Sequence, residues 1–290
     1  MIALLFSIIS SGLIFVIFKL FPRYGIDTFQ AIVFNYFTAF ACGTILFGNE
    51  WKDTALQQGQ WPLFVVISAF LFISLFILMG ISSQRNGVAL TSIAVKMSMA
   101  ISMLLMITLY RESLSALKMS GILFAFTGVF LVSFSGKEKS TEKGSMWMLG
   151  ALFFGSGILD FVLNYVQKYE LFDLSPSLFS AFGFGLAGII GLIILAYRII
   201  SGHSRFHPRN IAAGIVLGIP NYFSIFLLIT AYKETGWKDT TVLSITNVSV
   251  VLMSAMIGFT AFKEQTSTRK FIGLAAAIAA IVFLYLADIN

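Results

Sequence analysis

Apolar residues in this chain come in runs of about twenty, separated by short polar stretches and without period-two alternation. A run of that length spans a hydrocarbon core as an α-helix, whereas a membrane strand needs roughly ten alternating residues. The pattern predicts ten spans, near residues 2 to 20, 29 to 47, 61 to 81, 88 to 110, 117 to 134, 146 to 166, 179 to 197, 211 to 232, 240 to 262 and 271 to 286. Nearly all the charge and three of the five prolines fall in the breaks, and Pro62 stands at the start of segment three. Pro220 is the exception. It lies within segment eight beside Gly218 and Asn221, where a missing N–H and a ring clash predict a kinked or broken helix.

Composition agrees with this reading: 58% of the 290 residues are hydrophobic, 11% are charged, and the mean hydropathy is +0.91. Soluble domains carry about 25% charged residues, so the chain is read as a multi-pass protein of the cell (inner or plasma) membrane. The formal charge of +6 is spread over short loops rather than gathered in a stripe, which argues against nucleic acid and for the lipid bilayer as partner. The single cysteine, Cys42, lies in an apolar run and founds no disulfide framework. The opening MIALLFSIISSGLIFVIFKL lacks a basic n-region and is read as the first span. His203 and His207 sit in a basic loop without the glutamate of H-E-x-x-H, and no glycine-rich phosphate cradle occurs. No cofactor or metal is expected, and the chain does not read as an enzyme.

The polar stretch 135 to 145 (SGKEKSTEKGS) divides the chain into two groups of five segments, 1–136 and 137–290. Shifting 88 to 134 by 152 positions aligns it without a gap on 240 to 286, with Ser92/Ser244, Ile93/Ile245, Ser102/Ser254, Thr108/Thr260, Glu112/Glu264, Ser115/Ser267, Lys118/Lys270, Gly121/Gly273 and Ala125/Ala277 identical. At an offset of 145, Ser11-Gly12 meets Ser156-Gly157. An odd number of spans per half reverses the orientation of the second. The predicted fold class is therefore an all-α membrane protein of ten transmembrane helices, arranged as two inverted-topology five-helix repeats, an arrangement found in transporters.

Segments four and nine close on Tyr110-Arg111-Glu112 and Phe262-Lys263-Glu264, each glutamate followed nine residues later by Gly121 or Gly273. With the span count and the duplication, this motif resembles the drug/metabolite transporter superfamily, EamA type. The resemblance covers essentially the whole chain. It implies carriage of a small-molecule metabolite such as an amino acid, sugar or nucleotide-linked compound. A proline typical of the family is absent from the middle of segments four and nine, which argues against unwinding there.

Lys96 is the first functional candidate, because segment four carries no other ionisable group before its terminal tyrosine. It lies roughly 12 Å from the nearer end, where an ammonium costs about 2.5–3.5 kcal/mol unless it faces protein, water or ligand. Ser92, Lys96, Met99, Met103 and Met106 share its helical face, one cation over a soft thioether wall that also reads as ordinary core. Segment six places Ser156, Asp160, Asn164 and Gln167 on one face, making Asp160 a counter-ion or a titrating carboxylate. A direct Lys96–Asp160 pair is open, since coaxial spans would set them roughly 9 Å apart in depth. Segment nine offers Ser244, Asn247 and Ser254 on one face, with Asn247 aligned beside Lys96 through Val95. Asn221, beside Pro220, and Asn35 supply further uncharged donors and acceptors, with interhelical hydrogen bonding the favoured role for Asn35. Glu112 and Glu264 read as interfacial caps and surface ion pairs, and Lys19 as a snorkelling end residue. Gly183, Ala187 and Gly191 form a small-xxx-small ladder that packs either within the chain or between protomers.

The function read from these residues is export or exchange of small polar metabolites by alternating access, with a passive channel or a membrane-embedded enzyme built on Lys96 and Asp160 as alternatives. Whether the chain is a monomer or a homodimer is not written in the sequence. Loops on the side after segment one hold twelve Lys/Arg against six opposite, which places both termini outside, whereas the resemblance places them inside.

Overall fold

The structure is a computed structural model, and it describes residues 1–50, 59–110, 115–133, 146–171, 174–235, 239–264 and 267–289. All regular elements among these residues are helical. They are α1 Ile2–Leu20, α2 Thr28–Phe47, α3 Trp61–Arg85, α4 Val88–Met97, α5 Met99–Tyr110, α6 Ala116–Ser133, α7 Met146–Tyr169, α8 Pro176–Ile200, α9 Pro208–Thr235, α10 Asp239–Thr260 and α11 Thr268–Ile289. Short 3-10 turns occupy Phe21–Tyr24 and Gly48–Glu50. Among the described residues, eight helical stretches are long and apolar enough to cross a membrane, counting α4 and α5 together, while α6 and α10 hold the shorter apolar stretches Ala116–Gly128 and Ile245–Thr260. The all-helical membrane class follows.

One expectation about helix breaks is corrected. α9 runs through Pro220 without interruption. Its backbone lies tight on α2, with side chains at Gly214 and Gly218 excluded by Phe34, Asn35 and Thr38, and this packing holds the helix across the lost hydrogen bond. Segment four, which lacks a proline, is the one that lapses: α4 ends at Met97, Ser98 intervenes, and α5 begins at Met99.

The chain folds as two compact units, Met1–Lys19 with Leu78–Phe161 and Ser224–Asn290, and Leu20–Ile77 with Val162–Phe223. Each draws on both halves of the sequence. In the first, Ile93, Met97, Ile101, Phe153, Val251 and Ile281 belong to one buried apolar cluster fed by α4, α5, α6, α7, α10 and α11.

In the second unit, Asp27 caps α2 by accepting from Gln30 N at 3.0 Å, and Ser175 caps α8 by accepting from Leu178 N, with Pro176 at the first helical position. The Tyr36 hydroxyl, fully buried, donates to Phe72 O at 2.6 Å. The small-residue ladder of α8 packs inside this unit: a Cβ on Gly183 would meet Phe72, and one on Gly191 would stand 2.8 Å from Val33 and 3.0 Å from Ile73. Gly191→Leu is therefore expected to cost about 1–3 kcal/mol through overpacking, read as a lower midpoint in thermal unfolding of the purified protein. An unchanged midpoint would mean that α8 separates freely from α2 and α3.

Candidate functional site

The lapse at Ser98 organises the polar residues of the first unit. Ser98 stays in the right-handed helical region, and its carbonyl takes both Ile101 N at 2.8 Å and Ser102 N at 3.2 Å, so the ladder slips by one residue without unwinding. Its hydroxyl has one proton and two acceptors in reach, Val95 O one turn back and Asp160 Oδ2 on α7 at 3.2 Å. α7 approaches this closely because Gly157 lies one turn before Asp160. A Cβ at Gly157 would stand 2.7 Å from Ser98 O and 2.5 Å from Ile101 Cβ.

Lys96 is half-buried and Asp160 is exposed, although both lie within apolar helices. They interact electrostatically but form no direct ion pair, which answers the question left by the spacing. Among the described residues, the Lys96 ammonium has no hydrogen-bond partner. Asn247 on α10 is buried and donates from Nδ2 to Met99 Sδ at 3.3 Å, just beyond the lapse. A thioether is a weak acceptor, so the contact ties α10 to α5 without consuming the amide carbonyl. Met99 is buried in the apolar cluster and Met103 packs against it. Lys96, Asp160, Asn247, Met99 and Met103 thus fall in one unit.

The remaining candidates are distributed otherwise. Asn164, Asn221 and Asn35 belong to the second unit, Asn164 exposed and the other two buried. The interhelical hydrogen bond expected of Asn35 is not formed: both polar atoms of its buried side chain lack a partner among the described residues. The side chains of Ser244, Gln167 and Tyr110, and all of Arg111 and Glu112, lie outside the described residues.

Comparison with known proteins gives this arrangement a context. Residues 1–134 match the model of the EamA-like transporter family. The chain is also 29% identical, over 98% of its own length and 98% of the relative's, to an uncharacterized protein of Haemophilus influenzae. A solved crystal structure covers 98% of the chain, and 99% of its own length, at a TM-score of 0.60 and 10% identity, a likeness of fold alone. The EamA match and the apolar helices together make this a multi-pass cell-membrane protein.

Two residues of this protein were not singled out by sequence reasoning as positioning groups. Ser98 carried no local signal, since serine is ordinary in membrane helices. Glu264 did. Gly87 precedes α4 and offers no capping side chain, so the cap must come from elsewhere. It comes from the Glu264 carboxylate, which accepts from Val88 N at 2.6 Å and Ala89 N at 3.3 Å. Lys263 adopts φ 52° in the turn that delivers it, and Gly87 at φ 96° leaves space that a Cβ would take from the carboxylate. Lys19 does not snorkel: its ammonium donates to Gln84 O at 3.0 Å and lies 3.9 Å from Glu264 Oε1. Glu264→Ala should expose the Val88 and Ala89 amides and cost about 1–2 kcal/mol, as loss of a helix cap does. Hydrogen exchange on the purified protein reads this, and unchanged protection at both amides would remove Glu264 from the role.

Proposed function

We propose that this protein exports or exchanges small polar metabolites, such as amino acids, by alternating access of two inverted five-helix repeats. Lys96 binds an anionic group of the substrate, and Asp160 binds an amine or carries a coupling proton. The observation that supports this most is the state of Lys96: an ammonium inside an apolar span, half-buried and without a hydrogen-bond partner among the described residues. Such a charge carries a desolvation cost that Asp160 offsets only through space, without a hydrogen bond, and an anionic ligand that makes direct contact gains from that.

Asp160 complements it. The single Ser98 proton faces two acceptors, and when it goes to Val95 O the hydroxyl is left with lone pairs that only a protonated Asp160 satisfies. The geometry therefore accommodates both an ionised and a protonated carboxyl, which suits proton coupling. Asn247 adds an amide carbonyl, and its sequence register places it beside Lys96 through Val95.

A thermal-shift screen of the purified protein against amino acids, nucleosides, sugars and organic acids identifies the substrate class, because a ligand that binds only the folded state raises its stability. In proteoliposomes, a labelled hit should show saturable uptake and counterflow; flux that does not saturate would indicate a channel, and chemical conversion an enzyme. Lys96→Met and Asp160→Asn should each lower transport by roughly 10–150-fold, the equivalent of about 1.5–3 kcal/mol for a charged hydrogen bond. Both variants should remain folded in the membrane. Normal flux in both would overturn the site assignment.

A further inference from the structure

One end of the second unit gathers basic side chains from three separate stretches of sequence. Arg23 lies in the 3-10 turn after α1, Arg198 in the last turn of α8, and Arg205 and Arg209 in and just after the α8–α9 connection. Fixed contacts bring these stretches together around the start of α2. Gln30, 1% exposed, donates from Nε2 to Ser204 Oγ at 3.0 Å and to Arg205 O at 2.8 Å, and its Oε1 accepts from Asn210 Nδ2 at 2.8 Å. Asn210 Oδ1 in turn accepts from Asp27 N at 3.1 Å. The Arg198 guanidinium lies 5.1 Å from the Phe29 ring centroid, within cation–π range. The Arg209 guanidinium sits beside Gly25, whose left-handed conformation closes the 3-10 turn carrying Arg23.

The charge at this end is one-sided. Asp27 is the acidic residue of these stretches, and its carboxylate is engaged at Gln30 N as the α2 cap. None of the four arginines forms an ion pair among the described residues, and Arg23, Arg205 and Arg209 are exposed. The patch also has a depth marker. Tyr24 and Tyr197 are 64% and 71% exposed, and Ile200 is 86% exposed at the end of an apolar span, the tyrosine and arginine signature of a membrane–water boundary. A soluble anion would leave these apolar surfaces in water. A phospholipid covers both, its phosphate among the guanidinium groups and its chains along Ile200 and α8.

We propose that this arginine cluster is a binding site for the headgroup of an anionic phospholipid. Guanidinium groups suit the phosphodiester because each offers paired donors in a planar fork. Each basic residue near a charged membrane surface adds to anionic-lipid attraction.

The test is native mass spectrometry of the full chain in detergent with added phosphatidylglycerol or phosphatidylcholine. Wild-type protein should retain phosphatidylglycerol at least about fivefold more than phosphatidylcholine, and the triple variant Arg198→Gln, Arg205→Gln, Arg209→Gln should lose that preference. Arg23→Gln with Arg205→Gln leaves the Arg198 cation–π contact and the Arg209 packing on Gly25 in place, so it reports on the site even if the triple variant fails to fold. It should lower the preference by at least about twofold. Lys118→Gln with Arg269→Gln, in the other unit, should leave it intact. Equal retention of the two lipids by wild type, an unchanged preference in the arginine variants, or displacement of phosphatidylglycerol by equimolar inorganic phosphate would overturn the proposal.

Discussion

A helix inside hydrocarbon has to satisfy its backbone polar groups from within the protein, and that constraint organises both ends of α4. The slip at Ser98 survives because the carbonyl of Ser98 collects two amides and its hydroxyl returns to Val95 O. The polar chemistry gathers where this compensation has been made. Asp160 reaches the same hydroxyl, Asn247 reaches the first side chain beyond it, and Lys96 lies two residues before it. In a regular helix each carbonyl is committed to the amide one turn ahead, whereas here the Ser98 carbonyl is shared between two amides at the slip.

The same constraint explains the start of α4. A helix N-terminus carries unpaired amides, and Gly87 supplies nothing to cap them. A carboxylate from 176 residues further along the chain does so, with Lys19 beside it. Part of the cost of holding two charges near hydrocarbon is thus offset by hydrogen bonds to charged groups, which are roughly twice as strong as neutral ones. The start of α4 and the slip at its end are fixed by different partners, and the stretch between them carries Lys96.

The fold class was legible because twenty-residue apolar runs admit few alternatives, and each of the ten expected spans contains a helix. Local backbone events were less legible, and for a common reason. Proline was expected to break α9, yet α9 continues because glycines bring it onto α2; segment four lapses without proline because Gly157 lets another helix press on Ser98. Both outcomes depend on tertiary contacts that propensity does not encode. At the site, the charges announced themselves through their cost in lipid, whereas Ser98 was invisible and Asn35 misled, being buried without the interhelical partner its type suggests. Glu264 lay between these cases: the recurrence with Glu112 pointed to a cap, but only the contact across 176 residues identified which helix it caps.

The sequence offset that relates segments four and nine sharpens what is particular to this site. Moving 152 positions along, Lys96 meets Val248, Ser98 meets Val250 and Met99 meets Val251. Val250 and Val251 are fully buried, and α10 runs unbroken from Asp239 to Thr260. Moving 145 positions back, Asp160 meets Phe15, which is 2% exposed. The slip and the cation occur in the first of the two aligned stretches and the carboxylate in the second, and in each case the aligned position of the other is apolar packing. A charge in a membrane helix is retained against a cost of a few kcal/mol only where something repays it, and the apolar side chains at the aligned positions show that helix packing by itself has no need of a charge there.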